Sequence, residues 1–119
     1  MRALILGGAG GMGQGVARDL IKQERINSLV LADLYPDPER LSPKLRSSEK
    51  VNLIKMDVND HAGMVSAFKE IDVVINCAGP FYKTAVPTAK AAVEAKVNYI
   101  DICDDYEGTE ILFNSEIDK

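Results

Sequence analysis

Three glycines and one acid carry the chemistry open to this chain. Gly8, Gly10 and Gly13 fit G-x-G-x-x-G, the spacing of a dinucleotide-binding loop. In such a loop the first glycine allows a tight turn out of a strand. The second lets the backbone approach a pyrophosphate, and the third lets a helix pack closely on the strand. Ala9, Gly11 and Met12 fill the positions between and belong to the same candidate cradle. A helix beginning here points its free N–H groups and the positive end of its dipole at the phosphates. Gly7, Gly10 and Gly13 also fit the looser G-x-x-G-x-x-G, so the glycines alone do not choose between related nucleotide-binding families. Asp33 lies twenty residues after Gly13. At that distance the fingerprint expects an acid on the ribose 2′-hydroxyl of NAD. A carboxylate there would repel a 2′-phosphate, so NAD is expected over NADP. Arg40 and Lys44 stand near enough in sequence to keep NADP open. The competing reading of Asp33 is a turn residue before Leu34-Tyr35-Pro36.

These residues need elements to hold them. Arg2–Leu6 is an apolar run and reads as a buried strand entering the glycine loop. Met12, Val16 and Leu20 recur every four residues, with Ala17 and Ile21 beside them, which predicts a helix over Met12–Lys22. Ser28–Ala32 is a second apolar strand, closed by Asp33. Tyr35–Lys50 holds Pro36, Pro38 and Pro43 among many charges and reads as a loop with one short, imperfect helix around Glu39–Leu45. Val51–Met56 is a third strand, followed by Asp57-Val58-Asn59-Asp60. Asp57 and Val58 lie where an adenine ring would rest. The Asp57 carboxylate would accept from the adenine amino group or simply shape the turn. Asn59 or Asp60 caps a helix over His61–Lys69. His61, the single histidine, reads as a solvated residue with no partner acid placed for it.

Asp72–Asn76 is a fourth strand and runs into Cys77-Ala78-Gly79-Pro80-Phe81. Small residues at a strand's carboxyl end let a ligand lie against the backbone. In an open α/β sheet that crevice is where dinucleotides bind. Ala78, Gly79 and Pro80 are therefore candidates for the nicotinamide ribose and ring, against the alternative of an ordinary strand-to-helix turn. Ala85–Lys96 is an alanine-rich helix with Pro87 expected in its first turn, and Tyr99–Cys103 is a fifth strand. Asp104 and Asp105, at the mouth of that strand, either line a substrate site or cap a last helix over Glu107–Lys119, and capping is the preferred reading. Apolar strands alternating with helices predict one α/β domain over residues 1–119. Right-handed crossovers and a switch point after the first strand give a Rossmann-like, doubly wound parallel sheet of five strands in the order 3-2-1-4-5.

Composition removes several function classes. Net charge is −4 and no basic run occurs, which disfavours a nucleic-acid partner, whose binding rests on phosphate neutralisation. Trp is absent and aromatics are few, which argues against a base-stacking platform. No apolar run approaches the roughly 20 residues that span a bilayer. The two cysteines, Cys77 and Cys103, lack C-x-x-C spacing, so no metal site is expected and reduced thiols in a cytoplasmic protein are the default. No residue receives a catalytic assignment. Tyr82 and Lys83, just past the nicotinamide turn, either point into the crevice or are solvated residues at a helix start, and the second reading is preferred.

At this point a resemblance becomes specific. Gly7–Gly13 (GGAGGMG), the strand-end Asp33, Ile75-Asn76-Cys77-Ala78-Gly79-Pro80-Phe81 and Val97-Asn98-Tyr99-Ile100-Asp101 together resemble the amino-terminal domain of the saccharopine dehydrogenase family. The resemblance implies that the glycine loop binds the pyrophosphate and that Asp33 meets the adenosine ribose. It implies that Gly79, Pro80 and Phe81, with Ala78, lie by the nicotinamide. It further implies an NAD(P)-dependent oxidoreductase that moves hydride between cofactor and an amino-acid-derived amine or imine. The family's substrate-binding domain would follow this one, so the chain is expected to stop short of it and to be inactive alone. A homodimer is admitted as a consequence of the missing partner surface. The rivals are a short-chain or extended reductase and a non-catalytic NAD(P)-sensing domain. The first needs Tyr-x-x-x-Lys, but Tyr35, Tyr82, Tyr99 and Tyr106 are followed four residues later by Glu39, Val86, Cys103 and Glu110.

Overall fold

The computed structural model describes residues 1–77 and 81–101, the side chains of 81–83 and 101 aside. Five strands, β1 (Arg2–Leu6), β2 (Ser28–Asp33), β3 (Val51–Lys55), β4 (Val73–Asn76) and β5 (Asn98–Asp101), form one sheet in the order β3-β2-β1-β4-β5. Every pairing is parallel. This is the expected doubly wound order. The helices are α1 (Gly11–Leu20), α2 (Pro43–Arg46), α3 (His61–Phe68) and α4 (Phe81–Ala95), with one 3-10 turn at Pro38–Arg40.

The unbroken apolar character of the strands follows from burial on both faces. Successive side chains of a strand point to opposite sides. On β1, Ala3 and Ile5 therefore join a cluster with Leu29, Leu31, Ala17, Leu41 and Leu45 beneath α1 and α2. Leu4 and Leu6 face the other way, toward Ala32, Val74, Met64, Phe68, Ala91 and Ala92 beneath α3 and α4. Met64 and Phe68, one helical turn apart, are both fully buried and contribute about 1.5–3 kcal/mol each.

Register brings the carboxyl ends of the strands to one edge. Leu6 pairs with Ala32 and with Asn76, Asp33 pairs with Lys55, and Asn76 pairs with Asp101. The loops that leave this edge are those that hold the candidate site.

Three local expectations are corrected. The proline-rich stretch forms a 3-10 turn and a separate four-residue helix instead of one imperfect helix, because Leu41, between them, is extended and plugs the core. Helix α4 begins at Phe81, so Pro87 lies inside it and not in its first turn. Proline removes the backbone bond that residue 87 would give to the preceding turn and crowds the carbonyl there, and the burial of Ala85, Ala89, Ala91 and Ala92 on both sides of it offsets that cost. Finally, α1 stops at Leu20, with Ile21 closing its carboxyl end, so it ends short of Lys22.

Candidate functional site

The glycine loop is built by close approaches that a side chain would block. Gly7 leaves β1 at φ 78, in the left-handed region, so the tight turn rests on Gly7 and not on Gly8. The N–H groups of Gly7 and Gly8 both donate to the Ala32 carbonyl, at 2.7 and 3.2 Å. Gly8 is needed for another reason: a Cβ there would lie 2.7 Å from the Leu31 Cβ on β2. At Gly13 a Cβ would lie 2.2 Å from the Gly7 carbonyl oxygen, so the first turn of α1 packs directly on the loop. The expected role of the third glycine thus holds, with the loop backbone as its partner.

Gly10 and Gly11 are different. A Cβ at Gly10 would make only ordinary contact, 3.4 Å from the Gly7 oxygen, and one at Gly11 would meet nothing within 4 Å. Gly10 is the N-cap of α1 and supplies no side-chain bond. The first N–H groups of a helix have no intrahelical acceptor. Gly11 and Met12 are exposed while Gly13 is buried. The loop therefore presents an open backbone face at the positive end of a helix dipole, and these residues fit a pyrophosphate.

Asp33 stands at the end of β2, half-buried. Its Oδ2 accepts from the Ala9 N–H at 3.1 Å and its Oδ1 from the Tyr35 N–H at 3.3 Å. The acid and the glycine loop, 24 residues apart, are thus in direct contact. The Tyr35 bond is the local turn of the competing reading, and the Ala9 bond joins the acid to the glycine loop.

Asp57 is exposed, and its Oδ1 accepts from the Asn59 N–H at 2.9 Å, an Asx turn. Val58 packs on the α3–α4 side of the core. Asp60, not Asn59, is the N-cap of α3, accepting from the Gly63 N–H at 3.0 Å. Ala78, Gly79 and Pro80 lie outside the described residues, as do the side chain of Phe81, Cys103, the Asp104-Asp105 pair and the helix expected over Glu107–Lys119.

Three side chains act in ways the sequence did not disclose. Gln14, on α1 and 9% exposed, donates through Nε2 to the carbonyls of Ala9 (2.9 Å) and Arg40 (2.7 Å), and its Oε1 accepts from the Ser42 N–H (2.9 Å). Asn76, fully buried at the end of β4, donates through Nδ2 to Thr84 Oγ1 (3.3 Å) and the Tyr99 hydroxyl (3.0 Å). It ties the strand leading to residues 78–80 to both α4 and β5. His61 is not without an acid, because its Nε2 meets Glu94 of α4. A polar residue inside an apolar pattern is the one signal that could have marked Gln14 and Asn76. Cys77 is half-buried and free, and burial pushes its thiol pKa up.

The chain is 28% identical to a saccharopine dehydrogenase-like oxidoreductase of Mus musculus and 29% identical to that of Bos taurus, over 92% of this chain in each case. It spans 29% of the length of those relatives. Among solved structures, a short-chain dehydrogenase/reductase from Veillonella parvula in complex with NADP superposes with a TM-score of 0.67 at 20% identity, covering 84% of this chain and 46% of that one. A dTDP-glucose 4,6-dehydratase from Streptomyces venezuelae with NAD bound gives a TM-score of 0.71 at 20% identity, covering 84% of this chain and 38% of that one. At these identities the solved structures establish the fold alone. Among the described residues no helix is long and apolar enough to cross a membrane. The family model described as "Saccharopine dehydrogenase NADP binding domain" matches residues 3–116, and the chain belongs to that family of dinucleotide-binding oxidoreductase domains.

Proposed function

We propose that this chain binds NAD(H) as the cofactor domain of an oxidoreductase that interconverts an amino-acid-derived amine with its imine. The substrate site would be supplied by a second domain. One observation carries the cofactor half of the reading: the Asp33 carboxylate accepts from Ala9 at the heart of the glycine loop. That contact sets an acceptor for the ribose hydroxyls beside the N–H groups that would hold the pyrophosphate. The bound cofactor would supply or accept the hydride.

The chain's own residues divide the remaining work. Gly8 and Gly13 set the loop's shape, Gly10 and Gly11 leave its outer face open, and Asp33 orients the adenosine ribose. Asp57 and Val58 would flank the adenine, and Ala78, Gly79, Pro80 and Phe81 the nicotinamide. The family description names NADP. In this member a carboxylate at the end of β2 opposes a 2′-phosphate by like charge, which supports NAD. The amine chemistry rests on the family's name and on the likeness to the mouse and bovine oxidoreductases.

Titration with NADH and with NADPH, followed by nicotinamide fluorescence, tests the cofactor reading, and the chain has no Trp to interfere. NADH is expected to bind more tightly. In Asp33→Ala its affinity should fall by about tenfold or more, because a hydrogen bond to a charged group is lost, and the preference should vanish. Tighter NADPH binding by the unsubstituted protein would overturn the choice of NAD. For the reaction, the full-length protein should oxidise NADH when a 2-oxo acid and an amino acid are offered together. Failure over a panel of such pairs would sink the amine–imine assignment and leave the cofactor site standing.

A further inference from the structure

Gln14 is a buried amide that spends both donor hydrogens and one acceptor site of Oε1 between two loops. Nε2 carries two hydrogens, and both acceptors are main-chain carbonyls, Ala9 of the glycine loop and Arg40 of the 3-10 turn. Oε1 takes the Ser42 N–H. Because the three partners are two acceptors and one donor, only one orientation of the amide satisfies them all. Leu or Met would satisfy none, Glu could not donate to the carbonyls, and Arg could not accept from Ser42.

The consequence is a continuous bridge. The Ala9 N–H is held by Asp33, and the Ala9 carbonyl is held by Gln14. The same Gln14 holds both sides of Leu41, through the carbonyl of Arg40 and the N–H of Ser42. The segment bearing Arg40 follows β2 and so leaves the sheet at the edge where Asp33 stands. In a doubly wound fold that is the side of the adenosine ribose, where a nearby Arg accommodates a 2′-phosphate. Arg40 is itself exposed, so its backbone is fixed while its guanidinium faces solvent.

We propose that Gln14 is a positioning residue for the ribose 2′ side of the cofactor: it locks the Pro38–Ser42 segment to the pyrophosphate loop, so that Arg40 is held where it meets a 2′-phosphate. The inference rests on the cofactor-site reading above. Two opposed groups then determine how this chain treats the 2′ position. Asp33 repels the phosphate from the end of β2, and Arg40 attracts it only while Gln14 keeps the segment in place. NADPH binding therefore depends on Gln14, whereas NADH binding, which rests on Asp33 and the loop, depends on it much less.

The test compares Kd values for NADH and NADPH in the unsubstituted protein, Gln14→Leu, Arg40→Ala and the double variant. Gln14→Leu should weaken NADPH about tenfold and NADH about threefold or less, since three neutral hydrogen bonds are lost but only one cofactor group depends on the segment. Arg40→Ala should reproduce the NADPH loss, and adding it to Gln14→Leu should cost little more. Ser42→Pro cuts the bridge from the other side. Ser42 has φ −62, which proline adopts, and its Oγ makes no hydrogen bond, so proline breaks one hydrogen bond, the one the Ser42 N–H gives to Gln14, and sets its ring against Gln14 Oε1. It should shift the NADPH-to-NADH ratio in the same direction and guards against a Gln14 variant that fails to fold. An unchanged ratio in the variants, with both cofactors weakened equally, would overturn the positioning role and leave Gln14 as a structural tie. No binding of either cofactor by the unsubstituted protein would overturn the site reading and this inference together.

Discussion

Gly13 lies so close to Gly7 that a Cβ added at Gly13 would sit 2.2 Å from the Gly7 carbonyl oxygen. The obstacle is main chain, which cannot swing aside as a long side chain would. Gly13→Ala should therefore destabilise the fold by about 3 kcal/mol, through displacement of α1 from the loop. Gly11, two residues earlier on the same helix, is the internal control. Nothing lies within 4 Å of its Cβ position, so Gly11→Ala should stabilise by about 0.4–1 kcal/mol. Urea denaturation of the two variants should move the midpoint in opposite directions, and a shared direction would contradict the geometry.

The cap of α3 is a second relationship of this kind. The Asp60 carboxylate accepts from the Gly63 N–H, and a Cβ on Gly63 would fall 2.3 Å from Asp60 Oδ2. Asp60→Ala should cost about 1 kcal/mol. Gly63→Ala should cost at least as much in the parent and clearly less in the Asp60→Ala background, where the carboxylate is gone. A double-mutant cycle on thermal unfolding measures this, and strict additivity would show that the clash is relieved at no cost.

Cys77 gives a pH dependence. Burial raises its pKa in the folded state, because desolvation penalises the thiolate. Between the unfolded and folded pKa values the folded protein holds more protons than the unfolded one, so stability falls as pH rises through that window. The contribution is complete below the unfolded value. Alkylation by iodoacetamide, read at the Cys77 peptide by mass spectrometry, should show a rate profile displaced to higher pH than that of free cysteine. After unfolding in urea the profile should return to the ordinary range. A native profile at or below the free value would contradict the burial argument.

Much of the fold was legible in the sequence because its strands are buried on both faces and read as apolar runs. Arg2–Leu6 needed nothing more. The helix ends were less legible. Helix α4 extends four residues ahead of the expected Ala85, since packing of Ala85, Ala89, Ala91 and Ala92 against the sheet retains a turn that proline alone would discourage. Asp33 was legible from spacing, because the length of a strand–helix–strand unit sets its distance from the loop. Gln14 was not, since its partners Arg40 and Ser42 lie 26 and 28 residues away and are main-chain atoms that any residue could supply.

The sequence by itself determined the alternation of strand and helix, the order 3-2-1-4-5 and the glycine–acid pair, because periodicity, chirality and spacing are properties of the chain. Only the tertiary structure decided which glycine makes the turn and which avoids a clash. It also decided that Asp33 grips the loop, and that Gln14 joins the loop to the segment carrying Arg40. Those are facts of distance between backbone atoms far apart in the chain, and side-chain types do not encode them locally.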